Sequence, residues 1–132
     1  MSRSDVPYRH SVHFAIELLK GRWTVAVMAE LAVGERQYRE ILTAINKVEE
    51  QSGSQQRPLT DRVLTDTLGR AVRDGLIERH AETGHFKRVW YTLTPMGRRL
   101  LRAVRPLAEW AKEHHEYLDR RGGRLDSEQA GA

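Results

Sequence analysis

The side chains with the most chemistry to offer are basic. Eighteen arginines and four lysines face 18 acidic residues, for a formal net charge of +4. The planar arginine fork donates two parallel hydrogen bonds, which suits phosphate oxygens and the O6/N7 edge of guanine. Placement matters more than number. At ~100° per residue, Arg62, Thr65, Asp66, Gly69 and Arg73 fall opposite Leu64, Leu68 and Val72. Short polar groups edged by arginine can reach base edges and phosphates together, although an ordinary solvated helix face has the same pattern. A second basic cluster follows, with Arg79 and His80 ahead of Thr83-Gly84 and His85, Lys87 and Arg88 around and after it. A basic turn suits phosphate or minor-groove contact, and equally keeps a hairpin soluble.

Other chemistries are poorly supplied. The absence of cysteine excludes disulfides, thiol catalysis, thiolate zinc sites and cysteine redox sensing. No G-x-S-x-G, Walker loop, G-x-G-x-x-G or H-E-x-x-H occurs, so we expect no enzyme and no cofactor. His114 and His115 are adjacent and diverge by ~100° on a helix, and no H-x3-H pair exists, so no metal site is expected. Aromatic and imidazole groups gather at two places: His10, His13, Phe14 and Trp23 near the start, and Trp110, His114 and Tyr117 near the end. Such rings suit an aromatic or phenolic small molecule, and they suit a dimer core as well.

The elements that must position these groups follow from the pattern. With 132 residues, 39% hydrophobic and 30% charged, the chain fits one globular domain. It lacks an apolar run of ~18 residues and an N-terminal h-region, which leads us to expect a cytoplasmic protein without membrane contact. Residues 1–9 are expected to be flexible, 10–121 to form the domain, and 122–132 a disordered tail after Gly122-Gly123. A short helix is expected over 11–19, and a buried one over 22–33 with Gly34 as a left-handed C-cap. Residues 37–45 suggest a helix, or a short strand leading into one, and 46–58 a flexible loop closed by Pro58. Thr60 is a good N-cap for a fourth helix ended by Gly75. Residues 76–82 and 86–93 alternate as a β-hairpin, and Thr94-Pro95 starts a last helix running to about residue 120. The expected fold is mainly α with a small β-hairpin: a winged helix-turn-helix with a long C-terminal dimerisation helix.

Four motifs in order, LLKGRWTVAVMAEL, YREI, LTDTLGRAVRDGLIER and YTLTPMGRRL, give the chain a specific likeness to a known family. Over roughly residues 10–118 it resembles the HxlR-type winged-helix transcriptional regulators, relatives of the MarR group. The resemblance implies a dimeric DNA-binding regulator with its recognition helix at about 60–73 and its wing at about 79–90. Thr60 falls on the family's N-cap serine, Arg62 on its lysine or arginine, and Leu64-Thr65 on its Leu-Thr. The candidate DNA contacts are Gln37, Arg39, Thr60, Asp61, Arg62, Thr65, Asp66, Arg70, His85, Lys87 and Arg88. Three departures stand out. His10 replaces a frequent cysteine, Gly69 replaces a frequent arginine, and the 46–58 segment is longer than the pattern, at a small entropic cost.

In the last helix Gly97, Leu100, Val104, Leu107, Ala111, His114 and Leu118 recur at alternating steps of three and four, a coiled-coil-like seam. We expect Leu100, Val104, Leu107, Ala111 and Leu118 to hold a homodimer on double-stranded DNA. If the first and last helices pair across it, the aromatic clusters could bind an aromatic effector. A constitutive DNA binder, or a winged helix used for protein or RNA contact, stays open as an alternative.

Overall fold

The computed structural model describes residues 7–53, 57–85 and 87–130, with 121–130 as backbone alone. Residues 1–6, 54–56, 86 and 131–132 lie outside the described residues; they include Phe86 and parts of the expected loop and both expected flexible ends. The order is α1 (Tyr8–Leu18), α2 (Thr24–Val33), α3 (Tyr38–Gln51), α4 (Asp61–Arg73), β1 (Ile77–Ala81), β2 (Val89–Leu93) and α5 (Pro95–Ala130). The chain divides into two compact units, Met1–Arg99 and Leu100–Ala132.

In the first unit α2 is the central element, as its nearly all-round apolar sequence predicts. Val27, Met28 and Leu31 are fully buried and meet Ile41 and Ile45 of α3, Leu64, Leu68 and Ala71 of α4, and Leu76, Ile77 and Leu93 of the hairpin in one core. The α4 ends are well made. The Thr60 hydroxyl accepts from the Val63 N–H at 3.3 Å. At the other end Gly75, at φ +78°, lets Leu76 N–H reach the Ala71 carbonyl (2.9 Å) and its own N–H reach Val72 (3.1 Å). This paired C-cap satisfies carbonyls that the helix leaves open and turns the chain into β1. β1 and β2 pair antiparallel with Ile77 opposite Leu93, Arg79 opposite Tyr91 and Ala81 opposite Val89. Arg36 adds a one-residue bridge to Tyr91, with bonds of 3.1 and 2.8 Å. Of the two readings of residues 37–45 the helix is the one found, and the extended pairing ahead of it is the single residue Arg36. Thr94 caps α5, accepting from Gly97 N–H at 2.9 Å and donating to the Gly75 carbonyl at 2.7 Å.

Several boundaries differ from the sequence reading. Tyr8 and Arg9 belong to α1, not to a flexible 1–9 segment, because Pro7 presets the chain for a helix start. The expected loop 46–58 is helical as far as Gln51. Tertiary contacts lengthen α3: the Asn46 amide clamps the Leu59 backbone at 2.8 and 3.0 Å, and Arg22 pairs with Glu49 at 3.0 Å. Gly34 is extended (φ 163°, ψ 178°), not left-handed, because the chain leaves α2 straight towards the Arg36 bridge. The backbone of α5 passes through Gly122-Gly123 to Ala130, where the sequence reading ends the helix and begins a tail. A glycine costs a helix only about 1 kcal/mol, which the strong helix formers around the pair offset.

Candidate nucleic-acid interface

The polar face of α4 is pinned before it can meet anything. Tyr38, the first residue of α3, points its phenol at the first turn of α4. The oxygen lies 2.8 Å from the Asp61 carbonyl, 3.0 Å from Asp61 Oδ1 and 3.3 Å from Thr65 Oγ1. Desolvation raises the phenol pKa, helped by the hydrogen bond to Asp61 and its negative charge and opposed by the Thr65 hydrogen bond, so the group keeps its proton at neutral pH. Beyond this cluster Thr60, Arg62, Thr65, Asp66 and Arg73 are exposed, while Leu64, Thr67, Leu68 and Ala71 are buried. Among the described residues, neither Arg62 nor Arg73 forms an ion pair. Gln37 and Arg39 are exposed at the start of α3, with the Gln37 N–H capped by Glu40 at 2.9 Å.

The hairpin stands beside this face. His85 and Lys87 are exposed in its loop. Arg88, at the loop end of β2, turns its guanidinium to within 4.9 Å of the Trp90 ring centre and 3.5 Å of Glu35, so Glu35 holds part of its charge. On the same side as Arg88, His80 stacks on Trp90 (5.2 Å, 12°) and hydrogen-bonds Thr92 at 2.8 Å. The other side carries Arg79 and Tyr91. With Tyr38, Thr65, Leu68, Gly69 and Val72 they line a cavity of about 270 Å³ between α3, α4 and the hairpin. Sequence reasoning missed Tyr38 and Tyr91 as site residues, since by period Tyr38 reads as part of the apolar face of its helix and Tyr91 as part of the hairpin.

A helix of short polar groups, a preceding helix clamped to its first turn and a basic hairpin form the described geometry of a winged helix-turn-helix. The family model described as HxlR-like helix-turn-helix matches residues 18–119. The chain belongs to the HxlR-like helix-turn-helix family. It is 30% identical over 118 residues to an uncharacterised HTH-type transcriptional regulator of Methanothermobacter thermautotrophicus, covering 89% of this chain and 82% of that one. It is 24% identical over 109 residues to the Bacillus subtilis regulator YdeP (83% and 77% covered). Among solved structures, a MarR-family transcriptional regulator from Enterococcus faecalis V583 superposes with a TM-score of 0.71 at 28% identity, covering 91% of this chain and 99% of that one. The reduced form of the redox regulator HypR shares the fold, with a TM-score of 0.63 at 24% identity and 83% and 98% covered. The HxlR-like chain is thus a transcriptional regulator with a helix-turn-helix DNA-binding fold, and not an enzyme. Unlike a thiol sensor it contains no cysteine. None of its described helices is long and apolar enough to cross a membrane.

Two residues of the HxlR-like regulator do not serve as the sequence suggests. Arg70 is not free for phosphate. Its guanidinium turns back into the unit, donating to the Lys20 carbonyl at 2.7 Å and to Thr24 Oγ1 at 3.0 Å. The contacts tie α4 to the α1–α2 turn. Arg70→Ala is expected to cost about 1.5–3 kcal/mol of stability, the range for hydrogen bonds to a charged group. It should leave the salt dependence of DNA binding unchanged; denaturation curves and binding at several salt concentrations check both halves. Trp23 is not available to line an effector site, being only 8% exposed at the head of α2 with the Arg22 guanidinium 4.0 Å from its ring centre.

The remaining aromatic candidates are exposed. His10, His13 and Phe14 lie on α1 with no buried neighbour on that helix. On α5, Trp110 and His114 stack at 4.7 Å, with the His114 ring bonded to the Trp110 carbonyl at 2.8 Å, and Tyr117 is exposed. Of the expected seam, Leu100 and Val104 are half-buried and Leu107, Ala111 and Leu118 exposed.

Proposed function

We propose that this HxlR-like regulator binds duplex DNA sequence-specifically as a homodimer, on a pseudo-palindromic operator, in the cytoplasm. α4 enters the major groove, with Arg62, Thr65 and Asp66 at base edges and Thr60, Asp61, Gln37 and Arg39 near the flanking backbone. The loop carrying His85 and Lys87 reaches adjacent phosphates or the minor groove, and Arg88 supports it from the end of the loop beside Val89. The observation that carries this reading is the exposed face of α4, free of ion pairs among the described residues at Arg62 and fixed by Thr60 and Tyr38 at its first turn. Selection of bound fragments from genomic DNA, followed by affinity measurements across salt concentrations, tests it. A salt-insensitive interaction, or no enriched sequence, would reject it.

Within this reading Arg62→Ala should cost about 1–3 kcal/mol of operator affinity and relax discrimination at one base pair per half-site. Lys87→Ala should weaken all duplexes alike and reduce the salt slope by about one unit. Arg88→Ala should change the slope less, since Glu35 already holds part of that charge. The exposed rings of α1 and of α5 support an aromatic effector that lowers operator affinity. Tryptophan fluorescence titrations with aromatic metabolites, read beside operator release, decide between such an effector and a constitutive binder.

A further inference from the structure

We propose that Tyr38 is a positioning residue that makes Thr65 a pure hydrogen-bond acceptor, so that α4 selects a base with an exocyclic amino group, adenine or cytosine, where Thr65 reads. This rests on the DNA-binding reading above and adds a polarity to it. The argument is a count of protons. The Tyr38 phenol has one, and two of its three close neighbours, the Asp61 carbonyl at 2.8 Å and Asp61 Oδ1 at 3.0 Å, can only accept. The phenol proton is therefore spent on Asp61. Thr65 Oγ1, 3.3 Å from the phenol oxygen, can then bond to it only by donating its own proton. The hydroxyl of this exposed threonine is left with lone pairs to offer outward.

In the major groove, adenine N6 and cytosine N4 present donors, whereas guanine O6 and N7 and thymine O4 present acceptors. A free threonine hydroxyl serves either kind, because it rotates to suit. A hydroxyl whose proton is turned to the phenol must give up that bond before it can donate to guanine or thymine, whereas adenine or cytosine meets its lone pairs at once. Asp61 adds to the same sign, since a carboxylate only accepts. An ordinary phenol is protonated across the physiological range, and the upward shift here works in the same direction. A phenylalanine at position 38 would keep the ring but give Thr65 its proton back.

The test uses the full-length protein and a duplex library built on the selected operator, with every base at every position. The wild type should show one position per half-site at which adenine or cytosine beats guanine and thymine by about fivefold or more, the usual cost of a mismatch. Tyr38→Phe should bring that ratio towards one while leaving the position read by Arg62 unchanged. Thr65→Val should erase the preference at the same position, and Thr65→Ser should keep it, so the test stands even if Tyr38→Phe folds poorly. A Tyr38→Phe profile identical to wild type would overturn the proposal. So would a Thr65→Val-sensitive position that prefers guanine or thymine, or no such position. A wild type with specific binding but no Tyr38 effect rejects this proposal alone; a wild type that binds no duplex specifically rejects the DNA-binding reading with it.

Discussion

Gly97→Ala is expected to destabilise the first unit by about 3–5 kcal/mol, a large share of the ~5–15 kcal/mol that holds a domain folded. Gly97 is buried in the first turn of α5, where that turn crosses the end of the C-cap of α4. A Cβ there would run into the Leu76 carbonyl oxygen and stand 2.9 Å from Leu93 Cδ1 and 3.1 Å from the Leu76 carbonyl carbon. The carbonyl cannot give way freely, because it accepts from Thr94 N–H at 3.1 Å, beside the Thr94 hydroxyl that the Gly75 carbonyl holds at 2.7 Å. Moving it loosens the cap of α5 and the start of β1 together. Helix propensity pulls the other way, since alanine is worth about 1 kcal/mol over glycine in a helix. The contact term is larger, so destabilisation wins. Gly69 provides the opposite case in the same fold. A Cβ there meets nothing within 4 Å, so Gly69→Ala should stabilise by about 0.5–1 kcal/mol. Urea denaturation of the two variants checks both signs, and a Gly97→Ala protein as stable as wild type would sink the argument.

Gly97 also shows why the sequence motifs are informative. In YTLTPMGRRL the glycine stands three residues after the capping threonine because its N–H is what Thr94 accepts and because no side chain fits over Leu76. The Asp74-Gly75-Leu76 turn has a similar local cause in its left-handed glycine. Features of this kind depend on a few neighbouring residues, and they are legible from the sequence: both N-caps, the hairpin and the polar face of α4. The resemblance to a family then supplies the order in which such pieces assemble.

Features that depend on distant partners are not legible. The last turns of α3 contain few apolar residues and look like a loop, yet Arg22 and Leu59 hold them from other parts of the chain. Arg70 stands in the last turn of α4 and looks from the sequence like a phosphate ligand. Its direction is set by the Lys20 carbonyl, 50 residues away, which no period reveals. Trp23 looks like a ring free for a ligand because its burial depends on the core that α2 joins. Tyr38 is the most instructive omission. Its phenol touches three atoms of α4, and only the folded helix-turn-helix brings them together.

Leu107→Asp is expected to abolish dimers and leave a folded monomer whose operator affinity is lower by about 100-fold or more. The distribution of side chains around α5 is the reason. At ~100° per residue, Leu100, Leu107, Ala111 and Leu118 share one stripe, with Trp110 and Tyr117 along its edge. Leu107 is 62% exposed, Trp110 50%, Tyr117 60% and Leu118 44%, and every residue from Arg105 to Arg120 is exposed in the single chain. Opposite the stripe lie the pairs Arg105–Glu109 (3.6 Å) and Glu116–Arg120 (3.9 Å), which belong on a solvated face and contribute little stability themselves. An apolar stripe opposite a charged face calls for a partner helix, and a second copy presents the same stripe at the same spacing. An aspartate at position 107 costs nothing large in the monomer, where the site is open; an exposed substitution shifts stability by no more than about 0.5 kcal/mol. Across a seam it would bury an unpaired charge, at a cost of several kcal/mol or more. Loss of the second recognition helix then removes the gain from tethering, about 100-fold or more. Sedimentation, denaturation and operator titration of the variant separate the two effects. A wild-type chain that is monomeric at micromolar concentration, or a Leu107→Asp chain that still dimerises, would overturn the seam.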